Sequence, residues 1–397
     1  MIGSPDITLM GESARHLREA FGEVGDIWRH EGLKKGVEAA LGTASHSELS
    51  RWILQQACGG EFYDRRLATN VGGIALDGPV GIAPGWDKTG KTVMGWQELG
   101  AHHITPGGIP KFPQPGNHMT RLVTFDEWLG DHGKTKSLNA YGFPSKGAGP
   151  VVRMVDQQKE TGKVRIPVVM QATLNKEMYE EANRDGIPAR LADTVRQILP
   201  VADGINLGLS SLNTKGMRDA QAYDSLYEII MRVKDVTGDD TPLGFKGDGD
   251  GGEERLDMYC RLAQATELNY LELINTTALP HIKGKYVSLE RPGGLGGSDP
   301  DYQDLALWAV RYVYESVGDK TDIMGMGGVN SPERAMKMVR AGASGIGINT
   351  GVRELGAQAV ISIERGMSRE MDGFPLGTTL ENVIGIDTAR GPKKAAA

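Results

Sequence analysis

The spacing of apolar residues changes near residue 69 and divides the chain into two parts. In residues 1–60, apolar side chains recur every three or four positions, and the first such series is Leu17, Phe21, Val24, Ile27 and Trp28. This spacing predicts amphipathic helices that bury one face and expose a polar one. We therefore predict a small N-terminal helical extension over residues 1–62 and one larger domain over residues 63–397.

Short apolar runs alternate with helical patterns through the larger domain. After a lead-in strand at residues 74–76, the first run starts at Pro79, and seven further strands are predicted at 102–106, 168–171, 204–207, 243–246, 271–275, 323–326 and 345–348. The sequence Ser331, Pro332, Glu333 is typical of a helix N-terminus. Eight strand and helix rounds predict an α/β fold, a (β/α)8 TIM barrel, with a doubly wound open sheet as the alternative.

The connection after the second predicted strand is long and rich in proline and glycine. It includes residues 110–116 and the cluster of asparagine, aromatic and turn residues at 139–145. Long connections inside a compact domain usually cover a site, so we predict a site-covering loop here.

Composition and charge exclude several classes of function. The formal net charge of −7 argues against nucleic acid as a partner, because phosphate backbones require a basic face. Cys58 and Cys260 lie far apart, and no HExxH or clustered His and Cys motif is present, so neither a disulfide nor a metal site is predicted. No apolar run reaches the ~18 residues that span a bilayer, so any membrane contact is predicted to be peripheral.

Polar residues follow the predicted strands, where the carboxyl ends of a barrel converge. They are mostly amides, hydroxyls and lysines: Gly85, Lys88, Asn139, Gln171, Asn206, Ser211, Asn213, Lys246, Asn275, Thr276, Thr277, Gly327, Gly328, Asn349 and Thr350. Carboxamides place a donor beside an acceptor, which matches the N–H and C=O edge of a pyrimidine or another cyclic imide.

The stretch 204–219 contains the densest group of candidate catalytic and binding residues. An apolar strand breaks at glycine and is followed by two serines and a second asparagine. We interpret Ser211 as a proton-abstracting base, with Asn206 and Asn213 as substrate clamps. The alternative is a polar turn that caps the next helix.

Two glycine-rich segments, 325–328 and 347–351, follow the last two predicted strands. Barrels commonly hold a phosphate with backbone N–H groups at this place, although glycine also serves tight turns. A phosphate site with Lys246 at a strand end favours flavin mononucleotide (FMN), because the lysine could stabilise negative charge on the reduced flavin.

Seven motifs occur in the order and spacing of one enzyme family. The first is one opening motif formed by residues 64–73 and 78–88, and the other six are 113–117, 139–143, 210–214, 275–277, 293–297 and 326–328. With them, residues 64–356 resemble the dihydroorotate dehydrogenase family, and most closely its quinone-linked class.

The resemblance implies an FMN barrel that oxidises (S)-dihydroorotate to orotate in de novo pyrimidine biosynthesis. Ser211 falls on the family's base. The implied substrate contacts are Lys88, Asn139, Phe143, Asn206, Asn213, Asn275 and Thr276. The implied cofactor contacts are Gly85, Lys88, Gln171, Asn206, Lys246, Gly297, Gly328, Asn349 and Thr350.

In the quinone-linked class, N-terminal helices form the quinone and membrane face. The resemblance therefore implies a quinone acceptor and a protein that is cytoplasmic or peripherally bound to the cytoplasmic face of the inner membrane.

Several positions depart from the family pattern. Gln171, Gly108 and Asn349 stand where the family has asparagine, threonine and tyrosine, and Leu212 replaces a proline. Two alternatives follow: an FMN oxidoreductase that acts on another dihydropyrimidine or cyclic amide, and a flavin-binding scaffold of low activity.

Overall fold

A computed structural model describes residues 41–42, 62–117, 122–126, 135–179, 186–210, 222–290 and 292–393. Almost all of the predicted N-terminal extension lies outside this part of the chain. Ser211 and Asn213 also lie outside the described residues.

The described residues form short strands separated mostly by helices. The strands are β1 (Thr69–Val71), β2 (Ile74–Leu76), β3 (Val80–Ile82), β4 (Gly107–Ile109), β5 (Leu122–Asp126), β6 (Thr135–Asn139), β7 (Val169–Ala172), β8 (Gly204–Leu207), β9 (Leu243–Lys246), β10 (Tyr270–Leu273), β11 (Gly294–Gly297), β12 (Asp322–Gly325) and β13 (Gly345–Ile348). The helices are α1 (Val93–Glu98), α2 (Ala148–Lys159), α3 (Ile187–Ile198), α4 (Tyr223–Thr237), α5 (Gly252–Thr266), α6 (Pro280–Lys283), α7 (Pro300–Val317), α8 (Pro332–Arg340), α9 (Thr350–Leu355) and α10 (Ala359–Met371).

Eight strands form one parallel sheet in the order β3, β13, β12, β10, β9, β8, β7, β4. The sheet closes through Ile104, which bridges Ile82 on one side and Val168 on the other. The amide of Ile82 donates to the His103 carbonyl at 3.0 Å, and the amide of Val169 donates to the Ile104 carbonyl at 2.9 Å. The predicted (β/α)8 barrel is therefore confirmed.

The hairpin of β1 and β2 covers the amino-terminal end of the barrel. Its residues Val71, Ile74 and Leu76 pack in one buried cluster with barrel side chains that include Tyr270 and Met324. The burial of each apolar side chain of this size contributes roughly 1.5–3 kcal/mol. The amide of Gly72, in the turn, also donates to the Asp322 carboxylate at 2.8 Å. The hairpin therefore closes the amino-terminal end of the barrel. The polar strand-end residues lie at the opposite, carboxyl end.

Side-chain caps begin two of the outer helices. Ser331 Oγ accepts from the Arg334 amide at 3.2 Å at the start of α8, as predicted for the cap. Asp299 Oδ1 accepts from the Tyr302 amide at 3.0 Å at the start of α7. Each cap satisfies a helix N–H group that has no partner within its own helix.

The long connection differs from the predicted loop. It contains α2 and the strands β5 and β6, and β6 also pairs with the distant β11 to form a three-stranded antiparallel sheet. The sequence of β11 is Gly-Leu-Gly-Gly, which has low strand propensity. Its pairing depends on register with a segment about 155 residues away, so local periodicity does not reveal it.

The buried His103 should make stability fall in mild acid. The residue is 1% exposed, its ring is hydrogen bonded to the Ile346 carbonyl at 3.1 Å, and burial lowers the pKa of His103 to about 4. In the unfolded chain its pKa is near 6.5, so this contribution is present above pH 6.5 and is lost as pH falls from 6.5 towards 4. The expected loss is about 3 kcal/mol, measured by urea unfolding between pH 4.5 and 8. In His103→Gln, the free energy of unfolding should fall much less as pH decreases below 6.5. An equally large loss in the variant would contradict the assignment of this pH dependence to His103.

His102 precedes His103 in the chain, but its pKa is shifted in the opposite direction. Burial opposes its charge, but the hydrogen bond and charge of Glu364, at 2.7 Å, outweigh that effect, and the pKa of His102 is raised. Its contribution is therefore complete below pH 6.5 and is lost as pH rises through the raised value.

Within the described residues, no helix is long and apolar enough to cross a membrane. The same part of the chain holds no group of three or more His, Cys, Asp or Glu side chains that could bind a metal ion.

Candidate active site

A cavity lies at the carboxyl end of the barrel, where the strand-end residues converge. Eleven of the predicted site residues line it: Gly85, Lys88, Asn139, Phe143, Gln171, Lys246, Asn275, Thr276, Gly297, Asn349 and Thr350. Among the described lining residues are three cations, Lys88, Lys246 and Arg353, and no aspartate or glutamate. In a chain with a net charge of −7, this cavity is a local site of positive charge suited to an anionic ligand.

Two of the predicted substrate and cofactor contacts with described positions do not line the cavity, and neither does the strand-end residue Thr277. Asn206 lies behind Gln171 in the barrel interior. Gly328 does not line the cavity, whereas its neighbour Gly327 does. A Cβ on Gly328 would lie 2.4 Å from the Gly297 carbonyl oxygen, so this glycine allows two loops to pack together.

Two polar pairs form a layer inside the barrel below the cavity. Gln171 and Asn206 are direct neighbours on β7 and β8, and Gln171 Nε2 donates to Asn206 Oδ1 at 2.9 Å. Lys246 and Glu272 are direct neighbours on β9 and β10, with 2.9 Å between Nζ and Oε1. Because side chains alternate along a strand, the register places all four on the interior face.

The loop of Lys88 is organised by a buried carboxylate. Asp87 is 0% exposed, and its side chain accepts from the amides of Thr89, Gly90 and Thr92 at 2.7–2.9 Å. Lys88 extends over the ring of Tyr141, with its Nζ 4.4 Å from the ring centroid. Asp87 therefore fixes the backbone that presents the lysine to the cavity.

The opposite wall brings the predicted amide and aromatic residues together. Asn275 Nδ2 donates to the Ser210 carbonyl at 3.0 Å and lies 3.2 Å from its hydroxyl. Phe143 has a left-handed backbone with φ of 51°. Its ring packs on Gly108, where a Cβ would come within 2.7 Å of the ring. Glycine at 108 therefore permits this position of Phe143.

The wall near the last two strands is built largely from backbone. Nine of the lining residues are glycine, and Gly85, Gly297 and Gly327 have φ values between 110° and 115°. Ser137 Oγ lies 3.3 Å from Thr350 Oγ1, which ties the antiparallel sheet to α9. A wall without side chains leaves room for a flat ring and exposes N–H groups to a phosphate.

These features fit the predicted flavin. The walls supply positive charge and glycine-lined space, and the interior supplies amides that match a ring edge.

A family model described as dihydroorotate dehydrogenase matches residues 66–371. The chain belongs to the dihydroorotate dehydrogenase family. It is 31% identical over 335 residues to a protein of Anaeromyxobacter dehalogenans named dihydroorotate dehydrogenase (quinone), covering 83% of this chain and 88% of that one. A protein of the same name from Novosphingobium aromaticivorans is 29% identical over 81% of this chain and 88% of its own length.

Solved structures agree with the barrel. A ligand-free dihydroorotate dehydrogenase from Eimeria tenella superposes with a TM-score of 0.72 at 22% identity, covering 86% of this chain and 99% of that chain. A complex of the Eimeria tenella enzyme with ferulenol superposes with a TM-score of 0.71 at 23% identity. Family membership agrees with the resemblance seen in the sequence motifs.

Several lining residues of this dihydroorotate dehydrogenase family member were missed from the sequence. Ser137 and Tyr141 lie in the connection predicted as a loop, and Arg353 lies on α9 with its guanidinium 5.5 Å from the Trp86 ring. Glu272 was also missed, although a carboxylate inside an apolar strand such as β10 is an observable signal.

Proposed function

We propose that this protein is an FMN-dependent dihydroorotate dehydrogenase that converts (S)-dihydroorotate to orotate in pyrimidine biosynthesis and passes the electrons to a quinone. The observation that carries the proposal is a cavity with three cations, several amides and no lining carboxylate among the described residues. FMN contributes a phosphate and dihydroorotate a carboxylate, so both ligands match this charge. Bound FMN supplies the acceptor for the hydride that leaves C6 of dihydroorotate.

The chain's own residues would divide between the two ligands. We assign the substrate to Lys88, Asn139, Phe143, Asn206, Asn213, Asn275 and Thr276. We assign FMN to Gly85, Lys88, Gln171, Asn206, Lys246, Gly297, Gly328, Asn349 and Thr350. Gly327 joins this set because it lines the cavity where Gly328 does not.

The proton at C5 of dihydroorotate requires a base. We assign this role to Ser211 Oγ, which follows directly on Ser210 of the cavity wall. A serine hydroxyl is a weak base near neutral pH, so the acidity of C5 must be increased as hydride leaves C6. The cationic wall supports this by stabilising negative charge, and the Asp87 turn keeps Lys88 in place.

The decisive experiment mixes FMN-loaded protein with dihydroorotate without oxygen and follows the visible flavin absorbance. We expect the yellow colour to bleach. Subsequent addition of a quinone with detergent should restore it faster than fumarate does, in line with a peripheral membrane site at the cytoplasmic face. A bound flavin that stays oxidised with dihydroorotate but bleaches with another dihydropyrimidine would assign the other substrate. Reoxidation by fumarate alone would contradict the quinone assignment.

A further inference from the structure

A fully buried carboxylate lies directly behind the cavity lysine of the barrel. Glu272 is 1% exposed and projects from β10 into the barrel interior. Its Oε1 is 2.9 Å from Lys246 Nζ, and the two residues face each other across β9 and β10. A buried carboxylate is costly unless it is paired, so its presence at this place requires a physical reason.

The two members of the pair have different environments. The Lys246 side chain is 12% exposed and lines the cavity, whereas the Glu272 side chain is 2% exposed and does not line it. The ammonium therefore faces the ligand with the carboxylate behind it. Burial raises the pKa of Glu272, and the charge of Lys246 opposes that shift.

Tyr270 and Met326 lie close to the pair. Tyr270 lies two residues before Glu272 on the same strand, and its hydroxyl donates to the Ile205 carbonyl at 2.9 Å. Met326 Sδ lies 3.8 Å from Lys246 Nζ. The ammonium thus contacts both a carboxylate and a thioether.

We propose that Glu272 is a positioning residue that anchors Lys246 and offsets its charge, and so lowers the reduction potential of the flavin in this cavity. Reduction adds negative charge to a flavin, which a cation stabilises and a nearby carboxylate destabilises. With its charge partly offset, Lys246 still orients the ligand by hydrogen bonding. The reduced state is then stabilised less and passes its electrons on more readily.

This inference rests on the proposed function only in requiring a flavin, because the potential is measured without dihydroorotate. The test compares the FMN-loaded wild type with Glu272→Gln in an anaerobic redox titration against a dye of known potential. Glutamine keeps the size and a hydrogen-bonding oxygen but removes the charge. We expect the equilibrium to shift at least tenfold towards reduced flavin, which corresponds to about 30 mV for a two-electron couple.

A matched control is available at the other end of the barrel. Glu364 is also a buried carboxylate in an ion pair, with His102 at 2.7 Å, but it does not line the cavity. Glu364→Gln should change thermal stability and leave the potential unchanged. Glu272→Asp keeps the charge but moves it away from Lys246, so we expect a smaller shift in the same direction as for Glu272→Gln.

Each outcome decides the proposal. A potential that is unchanged in both Glu272 variants, or that shifts equally in Glu364→Gln, overturns it. A protein that takes up no flavin overturns both the inference and the proposed function. A flavin whose potential shifts as expected but which dihydroorotate does not reduce supports the role of Glu272 and overturns only the proposed substrate.

Discussion

Alanine in place of Ser211 is expected to slow the reduction of the flavin by dihydroorotate by a factor of about 10² to 10⁴, because a positioned general base contributes rate enhancements of this size. The flavin should remain bound, since Ser211 is not among the assigned cofactor contacts. Rapid mixing of the FMN-loaded variant with dihydroorotate, followed by flavin absorbance, measures the effect directly.

The adjacent serine is the matched control. Ser210 is 1% exposed, and its carbonyl accepts from Asn275 Nδ2 at 3.0 Å, a contact that a side-chain change leaves intact. Ser210→Ala removes only the hydroxyl, 3.2 Å from the same Nδ2, so we expect less than a tenfold change in rate. A slow Ser210→Ala with a fast Ser211→Ala would transfer the role of base to Ser210.

Methionine in place of Lys246 should destabilise the protein by about 3 kcal/mol, because it leaves a buried carboxylate without its cation. Glu272 has a side-chain exposure of only 2%, so water cannot replace the lost partner. Its folded pKa would rise further above the unfolded value. The destabilisation should therefore grow as pH rises from about 4.5 towards that raised value. Urea unfolding of the flavin-free protein at pH 5 and pH 8 measures it.

Removing the charges of both Lys246 and Glu272 should restore much of the lost stability. In Lys246→Met with Glu272→Gln, neither side chain is charged, and a double-mutant cycle gives their coupling. Lys88→Met is the control lysine, because Lys88 lines the same cavity but lies over the Tyr141 ring. Equal destabilisation by Lys88→Met, or no recovery in the double variant, would show that the buried pair is not the cause.

Local sequence patterns predicted most of the barrel. The strands at 204–207, 243–246 and 345–348 were placed at their observed bounds, because a buried parallel strand appears as a short apolar run between turns. The cap at Ser331 was predicted for the same reason, since capping depends on residues within one turn of helix. The strand-end rule then predicted ten residues of the cavity wall without knowledge of any contact, and the family resemblance added Phe143 and Gly297.

The structure of the long connection between β4 and β7 could not be predicted from local patterns. Its strand β6 pairs with β11, which consists mostly of glycine, and neither segment has a periodicity that indicates the other. Ser137 reaches the cavity through that arrangement, so its place on the wall could not be predicted, whereas Asn139 and Phe143 were identified by the family motif.

The sequence by itself determined the order of elements, the polar character of the strand ends and the family, because these depend on residues that are close along the chain. Only the tertiary structure decided which side chains meet: Gln171 with Asn206, and Lys246 with Glu272. Those pairs depend on the register between strands some 25 to 35 residues apart, and a shift of one residue would turn each side chain to the opposite face. The charge balance behind the cavity is therefore a property of strand register.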